Sequence, residues 1–172
     1  HFAGATEREL RIDSWLTGKL SGFPGDKLAL EVEDGAGKRF EVDLELREPR
    51  GKPAGFGNLP PRPVFFEYRR LNQSAGYVRF NMFLDPARIA KQFGDAVTDC
   101  AACAGLIIDL RGNPGGIGMM ATGIAGWLVQ ETGLKLGTMQ TRDNKLKFIV
   151  NARPNSFKGK VAVLIDGASA ST

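Results

Sequence analysis

Two stretches of this chain carry residues suited to acyl-transfer chemistry. The first is Leu106-Ile107-Ile108-Asp109-Leu110, followed by Arg111-Gly112-Asn113-Pro114-Gly115-Gly116. The second is Val161-Ala162-Val163-Leu164-Ile165, followed by Asp166-Gly167-Ala168-Ser169-Ala170-Ser171-Thr172. Each is a short apolar run, the pattern of a strand covered on both faces, running into a loop of small residues. In open α/β sheets ligands bind beyond the carboxyl ends of the strands, so both loops are expected on one sheet edge. Gly115 and Gly116 put no side chain between their amides and a ligand. They also precede a helical pattern, and the first N–H groups of a helix are unpaired and attract negative charge. That combination suits an oxyanion hole. In the second loop, a serine at the end of a strand can project its hydroxyl into a cleft, and its alanine neighbours leave room for a substrate backbone. Each loop also has a plainer reading. The glycines serve many ordinary strand-to-helix turns. They could also cradle phosphate, although they match neither G-x-G-x-x-G nor the P-loop pattern. The serines serve as helix caps.

A serine nucleophile needs a base. The only histidine is His1, so a complete Ser-His-Asp triad is not expected within this sequence. Lysine can replace histidine when burial lowers its pKa. The nearest lysines to the second loop in sequence, Lys158 and Lys160, fall at the amino end of the strand, away from Ser171, and read as solvated. The general base is therefore expected outside this chain. Cys100 and Cys103 are spaced C-x-x-C, but a zinc site needs about four ligands. A redox pair opens a helix after a strand, whereas this pair closes a helical pattern before one. They read as small buried residues, or as a disulfide if the protein is exported.

Several elements must position these loops. Residues 5–16 read as a helix opened by a Thr6/Glu9 capping box. Leu28, Leu30 and Val32, then Phe40, Val42, Leu44 and Leu46, alternate with polar residues as half-buried strands do. Asp34–Gly37 reads as the hairpin loop between them. Residues 48–63 hold five of the nine prolines and predict a linker without regular structure. Beyond it, Val64–Tyr68 and Tyr77–Phe83 read as strands. Asp85-Pro86 opens a helix carrying Ile89, Phe93 and Val97 at spacing four. Ile117, Met120, Ile124, Trp127 and Leu128 recur at helical spacing. Residues 134–150 predict one or two strands around Asp143-Asn144. Such alternation argues for an α/β layer with a partly parallel sheet.

The chain has 172 residues, 42% hydrophobic and 24% charged, with a net charge of +4. That is the balance of an ordinary globular protein. The basic residues are scattered, without the stripe or motif of a nucleic-acid binder. No run approaches the roughly 18 apolar residues of a membrane span. The sequence does not open on Met and shows no signal peptide, so an N-terminal piece is expected to be missing.

Taken together, Gly105–Gly116 resembles the strand and glycine turn of the tail-specific (carboxyl-terminal processing) serine peptidase family. Val161–Thr172 resembles the strand that leads to its S-A-S-A-S-E type motif. In that family an Asp precedes the catalytic serine by five positions. Counting from Asp166 selects Ser171, whereas matching the Ala-Ser-Ala-Ser letters alone selects Ser169. The strand and its Asp fix the register, so Ser171 is preferred. The resemblance implies Gly116, with Gly115 as an alternative, and Thr172 as oxyanion-hole amides. Residues 5–47 are similar to the last helix and closing strands of a PDZ-like domain. Thr172 stands where the family usually has Ala, and the sequence ends before the region that carries the family's lysine base.

The resemblance implies a crotonase-like (ClpP-like) core over residues 64–172. Residues 1–48 would form a partial PDZ-like α+β module and 49–63 the linker. It implies an exported serine peptidase, periplasmic or secreted, that acts on peptides or unfolded proteins without metal or organic cofactor. The present sequence, lacking its base, is expected to be inactive by itself. Two rivals stand beside it. One is a non-catalytic peptide- or ligand-binding module on the same fold. The other is a different acyl-transfer or phosphate-binding enzyme that uses the helix start at Gly115-Gly116.

Overall fold

The computed structural model describes residues 4–171, and for residues 4–7, 9, 10 and 13 the backbone alone. The chain divides into two units, His1–Arg50 and Gly51–Thr172. The first holds helix α1 (Gly4–Lys19), strand β1 (Lys27–Glu33) and strand β2 (Arg39–Glu45). The expected capping-box side chains, Thr6 and Glu9, lie outside the described residues. β1 and β2 pair antiparallel from Lys27↔Glu45 to Glu33↔Arg39. The Asp34 carboxylate closes their turn by accepting the N–H groups of Ala36 and Lys38, the local bonding that makes Asp a turn former.

In the second unit, the segment read as a structureless linker carries a small hairpin. Strands β3 (Lys52–Ala54) and β4 (Arg62–Val64) pair antiparallel there. Proline is tolerated because each strand bonds only one neighbour, so a missing N–H disrupts nothing. Val64 closes the hairpin, fully buried in the core, and the Arg88 guanidinium donates to its carbonyl at 3.0 Å.

The main sheet contains β5 (Phe66–Asn72), β6 (Ala75–Phe80), β7 (Gly105–Asp109) and β10 (Lys160–Leu164). Its order is β10-β7-β6-β5. β10, β7 and β6 run parallel and β5 antiparallel, so the sheet is mixed. The parallel pairs need crossovers. Helix α2 (Pro86–Asp99) supplies one between β6 and β7. Asp85 caps it, accepting from the Arg88 N–H, with Pro86 at the first helical position. Ile89, Phe93 and Val97 form the apolar stripe of α2 and are fully or almost fully buried. They share one core with Val78 and Phe80 of β6 and Leu106 and Ile108 of β7. Helix α3 (Gly118–Ala125) follows the glycine turn and ends earlier than the periodicity suggested, with Trp127 and Leu128 beyond it. Strands β8 (Leu134–Gln140) and β9 (Lys145–Val150) form a separate hairpin.

β10 departs from its sequence pattern. Its all-apolar run predicts cover on both faces, yet every residue of the strand is exposed, Val163 to 52%. Among the described residues β10 bonds β7 alone, and no element covers its faces.

Cys100 and Cys103 form a disulfide and both are buried. Among the described residues, Asp109 is the buried charged side chain. It ends β7, where the glycine turn leaves the sheet. The Tyr77 hydroxyl donates to it at 2.6 Å, and Arg111 donates through Nε, Nη2 and its own N–H. The Arg111 hydrogen bonds, reinforced by Tyr77, hold this carboxyl well below the usual carboxylate range, against the opposing effect of burial. Among the described residues, no helix is long and apolar enough to cross a membrane.

Two outcomes follow for the second unit. Phe93→Ala empties the centre of the core and should lower unfolding free energy by about 3–5 kcal/mol, read from the midpoint of chemical denaturation. The second concerns acid. Asp109 has a folded pKa below its unfolded value of about 3.9. Its stabilisation is therefore complete above that pH and is lost as pH falls through it towards the folded value. Asp109→Asn should flatten the fall of thermal midpoint below about pH 4; an unchanged acid profile would count against this role.

Candidate active site

The parallel pairing of β10 with β7 sets Leu164 beside Asp109. The loops after both strands therefore leave the sheet at one edge, as expected. Leu110 continues the contact, its N–H donating to Leu164 O at 2.9 Å. Beyond that point main-chain and side-chain bonds join the loops directly. The Gly112 N–H donates to the Asp166 carboxylate at 2.9 Å. The Ala170 N–H donates to Asn113 O at 3.0 Å.

The glycine turn owes its shape to Asn113, which is 2% exposed. Its side-chain amide donates to Phe80 O at 3.0 Å and its oxygen accepts the Gly115 N–H at 2.9 Å. A buried amide has to satisfy both ends, and these two bonds do so while tying the turn to β6. The Gly115 N–H is thus taken up inside the turn. Gly116 is bracketed differently. The Phe83 N–H donates to Gly115 O, and the Ile117 N–H donates to Phe83 O. Among the described residues, these bonds do not engage the Gly116 N–H. Both glycines have positive φ, 95° and 145°. A Cβ on Gly115 would lie 2.4 Å from Ser171 O, and one on Gly116 would lie 2.2 Å from Phe83 O. Only glycine meets both the dihedral and the contact.

The two candidate serines have different surroundings. The Ser169 hydroxyl lies 2.8 Å from Leu110 O and 3.0 Å from the Asp166 carboxylate, and accepts the Asp166 N–H at 3.0 Å. It is bound into the loop. Ser171 is exposed, with φ 54°. A non-glycine residue is held in the left-handed region only where its surroundings impose it, and such strain gathers at functional sites. Ser171 and Gly116 line one cavity of about 580 Å³. Its other walls come from α3 (Met119, Ala121, Thr122) and from one face of the β8–β9 hairpin (Leu136, Met139, Leu146, Phe148). The cavity's described lining contains no histidine or lysine. Lys158 and Lys160 are exposed, Lys160 at the amino end of β10, as their sequence positions suggested. Thr172 and His1 lie outside the described residues.

The Asp166 carboxyl is held below the usual carboxylate range, first by the Gly112 N–H and then by Ser169 and its own loop's amides, against burial. The sequence did not mark Asn113 or Asp166 as structural ties. Polar residues inside small-residue loops were the available signal, and only the pairing of the strands gives them partners. Among the described residues, no group of three or more His, Cys, Asp or Glu side chains is arranged to hold a metal ion.

A sequence model of peptidase family S41 matches residues 74–172. Among solved structures, the chain is similar to a photosystem II D1 C-terminal processing protease, with 19% identity and a TM-score of 0.50. That match covers 87% of this chain and 39% of that one. It also matches a lipoprotein from Streptococcus agalactiae, with 25% identity and a TM-score of 0.42, covering 62% of this chain and 42% of that one. Mature CPAF matches with 16% identity and a TM-score of 0.39, over 83% of this chain and 37% of the other. The chain spans about two fifths of the length of these structures. No curated protein gives a significant match. The family model covers more than half of the sequence, including both loops, β7 and β10, and on that ground the chain belongs to peptidase family S41.

Proposed function

We propose that this chain is part of a serine peptidase of the tail-specific type, with Ser171 as its nucleophile. The carrying observation is that Ser171, strained and exposed, opens onto the same cavity as Gly116, while Ser169 is tied down by its loop. Ser171 Oγ would attack a peptide carbonyl, and its proton would pass to a base outside this sequence. The base would return that proton to the nitrogen as the C–N bond breaks, so that the amine leaves and an acyl-enzyme remains for water to hydrolyse. The Gly116 N–H, together with that of Thr172, would hold the oxyanion, each such donor being worth about 3–4 kcal/mol of transition-state stabilisation. Peptides or unfolded proteins are the substrate class. No metal or organic cofactor is assigned.

On the same reading, the second unit is a crotonase-like core and residues 1–48 a partial PDZ-like module. The α1–β1–β2 order of the first unit supports the latter. A buried Cys100–Cys103 disulfide supports an exported protein, because such bonds persist in oxidising compartments. The rival reading is a non-catalytic peptide-binding module.

A serine-reactive phosphonate probe on the full-length protein separates the two. Labelling is expected at Ser171, and Ser171→Ala should lower peptide hydrolysis by roughly 10⁴-fold or more. Ser169→Ala should retain labelling while losing about 1 kcal/mol of stability with its hydrogen bond. An unlabelled Ser171 in a protein that still binds peptide would establish the rival.

A further inference from the structure

The nucleophile and the oxyanion donor of the proposed site come from different loops, so their separation depends on what joins those loops. Positioning of this kind is exacting, since a misplacement of about 1 Å costs roughly 10²-fold in rate. The Asp166 carboxylate reaches across. One oxygen, Oδ1, lies within bonding distance of three groups. They are the Gly112 N–H of the glycine turn at 2.9 Å, and the Ala168 N–H and Ser169 hydroxyl of its own loop at 3.1 and 3.0 Å. The last two would by themselves be an ordinary turn. The bond to Gly112 is different, because it ties the start of one loop to the start of the other.

Its neighbours show what that tie controls. Ala170 donates to Asn113 O, and the backbone of Ser171 sits where a Gly115 Cβ would be. The glycine turn thus forms the bed on which the serine loop lies. Asp166, beside the Ser169 hydroxyl that lies 2.8 Å from Leu110 O, holds the loop to this bed from the strand end. Its oxygen serves several donors at once, which a carboxylate does better than a neutral acceptor.

We infer that Asp166 is a positioning residue. It sets Ser171 against Gly116 by clamping the serine loop to the glycine turn through Gly112, and it takes no part in proton transfer. The inference rests on the Ser171 reading for its effect on rate but not for the clamp itself.

The test compares Asp166→Ala, Asp166→Asn and Asp166→Glu with the parent, all in the full-length protein. The readouts are kcat, KM for a peptide substrate, the rate of phosphonate labelling at Ser171, and Tm. Asp166→Ala should lower kcat and labelling rate together by about 100-fold, with KM within about threefold of the parent. Asp166→Asn keeps an acceptor oxygen at the same reach and should recover most of that loss. Asp166→Glu keeps the charge but moves it by one methylene, so it should stay folded and yet lose kcat. Parent-like kcat in Asp166→Glu, or in a folded Asp166→Ala, overturns the assignment. So does a loss in Asp166→Asn as large as in Asp166→Ala. If the parent neither cleaves peptide nor labels, the nucleophile reading falls, and the clamp is judged by amide exchange at Gly112. Exchange that quickens in Asp166→Ala and not in Asp166→Asn supports it. Exchange unchanged in Asp166→Ala refutes it.

Discussion

The parallel pairing of β7 with β10 is the constraint on which the rest of the second unit depends. Parallel strands end on the same side, so residues far apart in sequence leave the sheet together. Asp109 and Leu164 are partners in register, and the glycine turn and the serine loop follow directly from them. A slip of one residue would exchange the faces of β10 and carry Asp166 away from Gly112. The register is steadied beyond the strands by Leu110 on Leu164, by Gly112 on Asp166 and by Ala170 on Asn113. The ladder and the loop contacts are one continuous structure.

That arrangement stands on a core that is conventional in composition and specific in shape. Phe80 packs edge-on to Phe83 at 4.9 Å between ring centres. The backbone of Phe83 bridges to Gly116. The same short segment therefore anchors the core on one side and brackets the glycine turn on the other. Asp109 does comparable work with charge. It is buried at the exit of β7, and Tyr77 and Arg111 satisfy it. A buried charge left without such partners would be costly.

Much of this was legible in the sequence. The Ile89, Phe93 and Val97 spacing gave the buried stripe of α2. The Asp85-Pro86 pair marked its start, and the two apolar runs marked β7 and β10. What was not legible depended on neighbours. Val161, Val163 and Leu164 read as buried because apolar pattern reports capacity for burial, not the presence of a cover; among the described residues none is supplied and they stay exposed. Pro53 and Pro63 argued against regular structure, yet they face each other in a two-stranded hairpin. Gly115 stood beside Gly116 as an alternative amide donor, and only the structure places the Asn113 side chain against the Gly115 N–H. Ser169 and Ser171 differ in local sequence by almost nothing, yet in the folded loop Ser169 lies against Leu110 and Asp166 while Ser171 lines the cavity with Gly116.

The two glycines of the turn also bear on how relatedness should be read. The atoms that a Cβ would strike at either position are main-chain carbonyls of Ser171 and Phe83. Every amino acid carries that carbonyl, so no change of residue in the opposing segment makes room. The requirement for glycine comes from the path of the backbone and is independent of any reaction. A descendant that had lost its nucleophile but kept this fold would still need glycine at both places. Their persistence in a divergent sequence attests to inherited architecture and by itself says nothing of inherited activity.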